Sequence, residues 1–507
     1  MAPISEHGQT GPTAVEQESP ADTGFRWPED RPADAERESE LVAPERGWQR
    51  WTQLGLIASG VAFAAWIYFA PLPDGLSAEG KTAAAIFILC TVLWVTNAIP
   101  IGITGLLAVA LLGSGGVMTP AAAFASFGNS AVFFILGVFI LAAALIRSGL
   151  SKRCALLFLT KFERSPYRFA TGMMLTAAIA TAFMPAQATT AMLFPIAFEV
   201  ARAMKLRPQS SAYGKVLFLS LAWGAMVGSN VSFLGSTRAA LALGILSKSH
   251  QTTITFSEWI LASLPLVILG LVAVPIILRL SFPRERVDFD EAKRVLESAV
   301  AQLGPIRGDQ IKVGVLMLTT VLAWILLGGR FDLAIIALLA ATAMFVFGAL
   351  RWEDLEGHIY WSVILMYGGA IALGAAIDQT GAAIWLVESL LDGARISPFL
   401  AIGGLAFGTL ILSEFMSNAA AVAVMLPLGL GLGTQFGAPP IALTLAASFG
   451  AGLDFALPIS SAPNTLAFAS GYLRMTDFLR VGAVMTIVSI LSLLLVAWLW
   501  WPAIGIF

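Results

Sequence analysis

Two segments of this chain set hydroxyl and amide side chains inside otherwise apolar sequence, and they are copies of one pattern. The first reads Phe183-Met184-Pro185-Ala186-Gln187-Ala188-Thr189-Thr190-Ala191-Met192-Leu193-Phe194-Pro195. The second reads Phe415-Met416-Ser417-Asn418-Ala419-Ala420-Ala421-Val422-Ala423-Val424-Met425-Leu426-Pro427, an offset of 232 (Phe183 to Phe415). Each copy is followed by a polar stretch that cannot be regular helix: Gly228-Ser229-Asn230-Val231-Ser232-Phe233-Leu234-Gly235-Ser236-Thr237-Arg238, and Leu457-Pro458-Ile459-Ser460-Ser461-Ala462-Pro463-Asn464-Thr465. Broken helices expose N-terminal N–H groups that favour anions, and free carbonyls and hydroxyls that hold cations. The chemistry on offer is binding and release of ions. Arg238 is the most informative charge, because an Arg between a Gly-Ser-Thr turn and an apolar run is costly unless it faces a cavity. Its guanidinium grips carboxylate or sulfate oxygens in a fork, with Gln187, Thr189, Thr190, Ser236 and Thr237 as companion donors. The plainer alternative is that Arg238 snorkels to the outer interface or pairs with an acid.

The elements that must position these residues are membrane helices. Hydrophobic residues make up 57% of the chain and charged residues 12%, about half the charged share of a soluble domain. Apolar runs place eleven spans near 51–70, 81–97, 100–117, 128–147, 216–245, 259–281, 313–329, 332–350, 359–377, 441–470 and 479–501. The stretches 169–203 and 398–437 carry the repeated motif and are read as re-entrant hairpins, since broken backbone at membrane depth must line a cavity or be buried in protein. Trp498, Trp500 and Trp501 are expected at an interface. Cys90 and Cys154 are read as buried small hydrophobes.

The fold class is therefore an all-α polytopic membrane protein of two inverted repeats, 48–282 and 313–507. Arg147, Lys152, Arg153, Lys161, Arg164 and Arg168 precede the first hairpin, whereas the equivalent 378–398 holds only Arg395 as a base. By the positive-inside rule the first hairpin enters from the cytoplasm and the second from outside, with the N-terminus cytoplasmic, in a bacterial plasma membrane. Residues 1–50 hold eleven acids and five bases, leaving 21 of the 32 acids and 25 of the 30 bases to the membrane body. Residues 1–47 are read as a disordered tail. The linker 283–312 is expected to be an amphipathic helix at the cytoplasmic surface, as a brace or a partner site.

Several motifs resemble the divalent anion–sodium symporters, which carry dicarboxylates, citrate or sulfate. The resemblance covers about residues 50–505. It rests on Phe415-Met416-Ser417-Asn418-Ala419 with Met425-Leu426-Pro427, on Ser460-Ser461-Ala462-Pro463-Asn464, on Phe468-Ala469-Ser470-Gly471 and on the basic mid-chain linker. It implies a homodimer in the lipid bilayer that moves its small anionic substrate by an elevator motion. It implies one sodium site at Ser413, Met416, Asn418 and Ser460. It places substrate carboxylates at Ser417, Asn418 and the loop Ser461, Ala462 and Pro463, which Asn464 closes. The chain departs from the family pattern in the first triplet, Pro185-Ala186-Gln187, in Ala419, and in Gly235-Ser236-Thr237-Arg238. Arg238 is accordingly expected to take over the role of a first sodium ion, neutralising or binding the anion.

The function expected is secondary transport of a small divalent anion, coupled to sodium at one site or working as an exchanger. Uniport and proton coupling remain open, as do an oxyanion exporter and a receptor on the same fold. Glu414 is either a coupling group or an acid held by a buttressing donor, and Asp454 is either functional or locally paired. No Gly-x-Ser-x-Gly or His-Glu-x-x-His signature is present, so an enzyme is not expected; neither is an ATP-driven pump, and nothing points to nucleic acid.

Overall fold

The computed structural model describes residues 47–391 and 396–507, so the expected tail, apart from its last residue, lies outside the described residues. The described elements are helical. In chain order they are α1 (Gly47–Phe69), α2 (Ala78–Thr96), α3 (Ile101–Ser114), α4 (Pro120–Ala125), α5 (Ser130–Ser148), α6 (Leu150–Leu159), α7 (Pro166–Ala180), α8 (Ala186–Ala203), α9 (Ala212–Gly228), α10 (Thr237–His250), α11 (Phe256–Ser281) and α12 (Asp290–Ala301). The second half continues with α13 (Gly308–Leu327), α14 (Leu333–Val346), α15 (Trp361–Gln379), α16 (Ala382–Leu391), α17 (Pro398–Phe415), α18 (Asn418–Phe436), α19 (Pro440–Gly450), α20 (Ala462–Ala469) and α21 (Ala483–Ala503).

Nine helices among the described residues are long and apolar enough to cross a membrane, with α4–α5 and Met475–Ala503 each counted as one. Two of the nine, α17 and α18, are the arms of the second hairpin. Adding the shorter α3 and α14 and the interrupted pairs α9–α10 and α19–α20 to the other seven gives eleven crossings. From the start of α5 to the start of α15, its counterpart in the second copy, the chain crosses five times (α5, α9–α10, α11, α13 and α14). An odd number inverts the second copy relative to the first.

The local chemistry of the copies is matched at the same offset. Gly149 and Gly381 take left-handed backbone, φ 72° and 70°, to end α5 and α15. Ser165-Pro166 and Ser397-Pro398 open the hairpins. Each serine hydroxyl accepts from a first-turn N–H, of Arg168 at 3.4 Å and of Leu400 at 3.3 Å, with Pro in the first turn. Pro195 and Pro427 lie inside the returning arms.

The two copies are interlocked. A Cβ on Gly369 of α15 would fall 2.3 Å from the Cα of Gly105 of α3. A Cβ on Gly137 of α5 would fall 2.8 Å from the Cβ of Ala337 of α14. Gly137 and Gly369 are 232 apart, as are Gly105 and Ala337, so these are one contact seen twice. Close backbone approach through small residues is how membrane helices associate without a hydrophobic driving force.

Between the copies, α12 packs on α6 and on α8 with Ala292 and Leu296 buried. Arg153 on α6 fixes the end of the linker, donating to the Leu303 carbonyl at 2.7 Å and to Gln310 Oε1 at 2.8 Å. The linker helix is thus a brace. Two expectations are corrected. Trp501 is fully buried and Trp500 is turned toward α11, because α21 packs along that helix; their indoles donate to the Ala262 and Leu261 carbonyls. Trp498 alone of the three points outward. Cys90 is buried, but Cys154, on the outer side of α6, is exposed.

Candidate ion-binding site

Each hairpin tip sits against the unwound stretch of its own copy. In the first, the Ala186 N–H donates to the Gly235 carbonyl at 3.2 Å. In the second, Ser413 donates to the Ala451 carbonyl at 2.7 Å, and Asn418 Nδ2 donates to Asp454 Oδ1 at 3.2 Å. Glu414 accepts from the Ala456 and Leu457 N–H groups, both at 3.0 Å, and from Thr486 on α21 at 3.4 Å. All three partners are donors, so Glu414 has the bonding of a buttress between hairpin, loop and α21.

Arg238 joins the two copies. It is buried, and neither snorkels nor makes a contact ion pair among the described residues. Its Nε donates to the Ser448 carbonyl at 2.8 Å, across 210 residues of sequence. Its Nη2 donates to Asn230 Oδ1 at 2.7 Å and to Ser229 Oγ at 3.3 Å. The chain makes room for the guanidinium at Gly452, where a Cβ would lie 2.1 Å from Nη2. Gly452→Ala is therefore expected to eject the guanidinium from its cradle and to lower Tm in detergent, with Gly452→Ser no better tolerated. A cation ringed by hydroxyl, amide and carbonyl oxygens has the surroundings of an alkali ion. The residues expected to stand with it lie otherwise: Gln187 is exposed, and the Thr190 hydroxyl is spent on the Ala186 carbonyl of its own helix at 2.9 Å. Thr189 and Ser236 are buried with hydroxyls that have no protein partner. The Thr237 carbonyl accepts from Tyr367 of α15.

The helices that begin at the breaks, α10 and α20, start after Ser236 and Ser461. Serine is a strong N-capping residue, and Ser165, Ser211, Ser397 and Ser417 all cap their helices. Ser236 and Ser461 do not: neither hydroxyl bonds to the helix that follows it. Ser461 instead points to the Met226 sulfur at 3.4 Å. The first N–H groups of both helices are left without a side-chain cap, which is the state of a helix end that takes an anion.

The second loop is the more tightly knit. Ser460 Oγ lies 2.7 Å from the Asp454 carbonyl and 2.8 Å from that of Leu457. Asn464 Nδ2 reaches both carbonyls and Ser460 Oγ at 3.1–3.3 Å. Met416 is extended (φ −140°, ψ 172°) between α17 and α18. Ser417 is exposed and Ala462 half-buried, while Pro463 and Asn464 are buried. The site thus grades from open hairpin tips, Gln187 and Ser417, to a dry floor of Asn230, Arg238, Asp454 and Asn464. The sequence missed Ser448, Gly452 and Thr486. Ser448 had one signal: its carbonyl lies in the last turn before a helix break, where no intrahelical partner remains.

The family described as "Sodium:sulfate symporter transmembrane region" matches residues 49–507. The chain belongs to that family. Membership makes it a transporter rather than an enzyme. A relative named sodium-dependent dicarboxylate transporter SdcS, from Staphylococcus saprophyticus, is 26% identical over 458 residues, covering 85% of this chain and 88% of its own. A protein named as an uncharacterized transporter, from Haemophilus influenzae, is 27% identical over 440 residues, 83% of this chain and 92% of its own. Among solved structures, the Alcanivorax borkumensis YdaH transporter aligns with a TM-score of 0.49 and 13% identity, over 90% of this chain and 97% of that one.

Proposed function

We propose that this chain is a secondary carrier of small divalent anions, of the C4-dicarboxylate or sulfate type, coupled to sodium in its second half. The observation that carries the reading is the pair of uncapped helix ends after Ser236 and Ser461, with the buried Arg238 in the first turn of the former. Two positive helix ends suit the two charged ends of a dianion. The names of the similar transporters support the same substrate class.

In this reading the anion meets Ser417, Asn418 and the Ser461-Ala462-Pro463-Asn464 loop on one side. Thr189, Ser236, Thr237 and the α10 N-terminus meet it on the other. Gln187 closes over it from the exposed tip. Arg238 supplies a tethered positive charge in the place of a first sodium ion. Because its bonded nitrogens are held by protein oxygens, it acts through its field and by fixing the two loops together. The hairpins and broken helices move as one body against the remaining helices in an elevator motion, within a homodimer. The base-rich entry to the first hairpin faces the cytoplasm of a bacterial cell.

The test uses purified protein in liposomes loaded with unlabelled succinate or sulfate, following uptake of the labelled anion with and without an inward sodium gradient. Sodium-driven accumulation is the expected result. Uptake that needs internal anion and ignores sodium would replace symport by exchange. No counterflow of either anion would overturn the reading.

A further inference from the structure

Two oxygens in the second loop are anomalous. Asp454 and Asn464 are both fully buried, and Asp454 Oδ2 and Asn464 Oδ1 have no hydrogen-bond partner. Buried polar atoms are rarely left in this state, and each exception calls for a cause. A charge at membrane depth without compensation is costlier still.

The cause is not a misplaced amide. Asn464 Nδ2 is fixed by three acceptors: the Asp454 carbonyl, the Leu457 carbonyl and Ser460 Oγ. Turning the amide over would set its oxygen against those oxygens. Its Oδ1 must therefore face away from them with nothing to bind. The Asp454 carboxylate is also half satisfied by design, with Oδ1 taking the Asn418 amide and Oδ2 left bare. The two residues are in contact, since Asn464 bonds the Asp454 backbone.

Charge points the same way. Two charged side chains influence Asp454, Glu414 from α17 and Arg238 from α10. A monovalent cation beside the bare oxygen would offset the cost of holding Asp454 ionised at this depth. The unsatisfied atoms are a carboxylate oxygen and an amide oxygen, the hard ligands that alkali and alkaline-earth ions prefer.

Resting on the reading above that the chain carries anions with sodium, we infer that Asp454 Oδ2 and Asn464 Oδ1 bind the sodium ion, and that the bound ion frees the field of Arg238 for the anion. Without sodium, the Asp454 carboxylate cancels the guanidinium. With sodium, Asp454 no longer opposes the guanidinium, and the dianion meets a more positive site. This differs from the ligand set Ser413, Met416, Asn418 and Ser460. The new set adds a formal charge that the old one lacks, and its two oxygens have no other partner. Linkage then requires sodium and anion each to raise the affinity of the other.

The experiment is a sodium titration of the purified full-length protein with no anionic substrate present. Choline chloride holds ionic strength constant, and Tm is read from intrinsic tryptophan fluorescence. A ligand that binds the folded state raises Tm saturably. Wild type is expected to show that rise with sodium and not with choline. Asp454→Asn is expected to need at least ten times more sodium for half the effect, and to bind succinate or sulfate with an affinity that no longer depends on sodium. The same half-saturating sodium in Asp454→Asn and wild type would overturn the inference. So would the absence of a sodium-specific rise in wild type, a result that needs no folded variant. A wild type that responds to sodium but carries no anion would sink the transport reading and leave the cation site standing.

Discussion

Arg238→Gln is expected to reduce anion uptake about a hundredfold, while Arg238→Lys retains part of it. The guanidinium holds the first loop, through Ser229 and Asn230, to the Ser448 carbonyl of the other copy. Hydrogen bonds to charged groups contribute about 1.5–3 kcal/mol each, and a loss of about 2.8 kcal/mol is a factor of a hundred in affinity. Glutamine is too short to reach all three oxygens and carries no charge. Lysine restores the charge but not the planar fork. The check is labelled-anion binding and uptake by wild type, Arg238→Gln and Arg238→Lys in the same liposomes. Unchanged affinity in Arg238→Gln would show that neither the charge nor the cross-link serves the anion.

The second large effect is on stability. Glu414→Gln is expected to destabilise the protein by about 3 kcal/mol, because an amide nitrogen replaces an acceptor that faces backbone N–H groups. Both carboxylate oxygens accept from the second loop, at Ala456 and Leu457, and one also takes the Thr486 hydroxyl. The variant should show a clearly lower Tm in detergent, whether or not sodium is present. If Tm holds while the sodium dependence of uptake disappears, Glu414 is a coupling group and the buttress assignment fails. The two acids on this floor thus separate by measurement: Glu414 by sodium-independent stability, Asp454 by sodium affinity.

Much of this architecture was legible in the sequence. The offset of 232 and the Gly-Ser-Thr and Ser-Ser-Ala-Pro breaks are local signals, and local signals determine where helices start and stop. Arg238 stood out for the same reason. Its cradle did not, apart from the nearby Ser229 and Asn230, because Ser448 and Gly452 lie more than two hundred residues away and nothing local marks their approach. The direction of a hydroxyl was also unreadable. Thr190 looked like a site donor and is bonded within its helix, whereas Ser236, read in the same way, keeps a hydroxyl with no protein partner. Asp454 was conspicuous as an acid in an apolar span, but its bare Oδ2 is a fact of three dimensions. The tryptophans near the C-terminus misled because an amphipathic ring serves a helix–helix seam as well as a lipid interface.

The paired contacts Gly105–Gly369 and Ala337–Gly137 have a consequence for how the chain comes to exist at all. They are the signature of a two-fold dimer, in which one surface meets its own copy, except that both partners lie on a single polypeptide. Neither half owns a complete interior: α3 is finished by α15, and α5 by α14. The first half therefore leaves the ribosome with its docking seams open, and lipid must fill them until α14 and α15 arrive. A chain cut at the linker should yield two fragments that are unstable apart and recover together when co-expressed. Its closest analogue is then an obligate dimer whose subunit concentration has been fixed by a covalent tether.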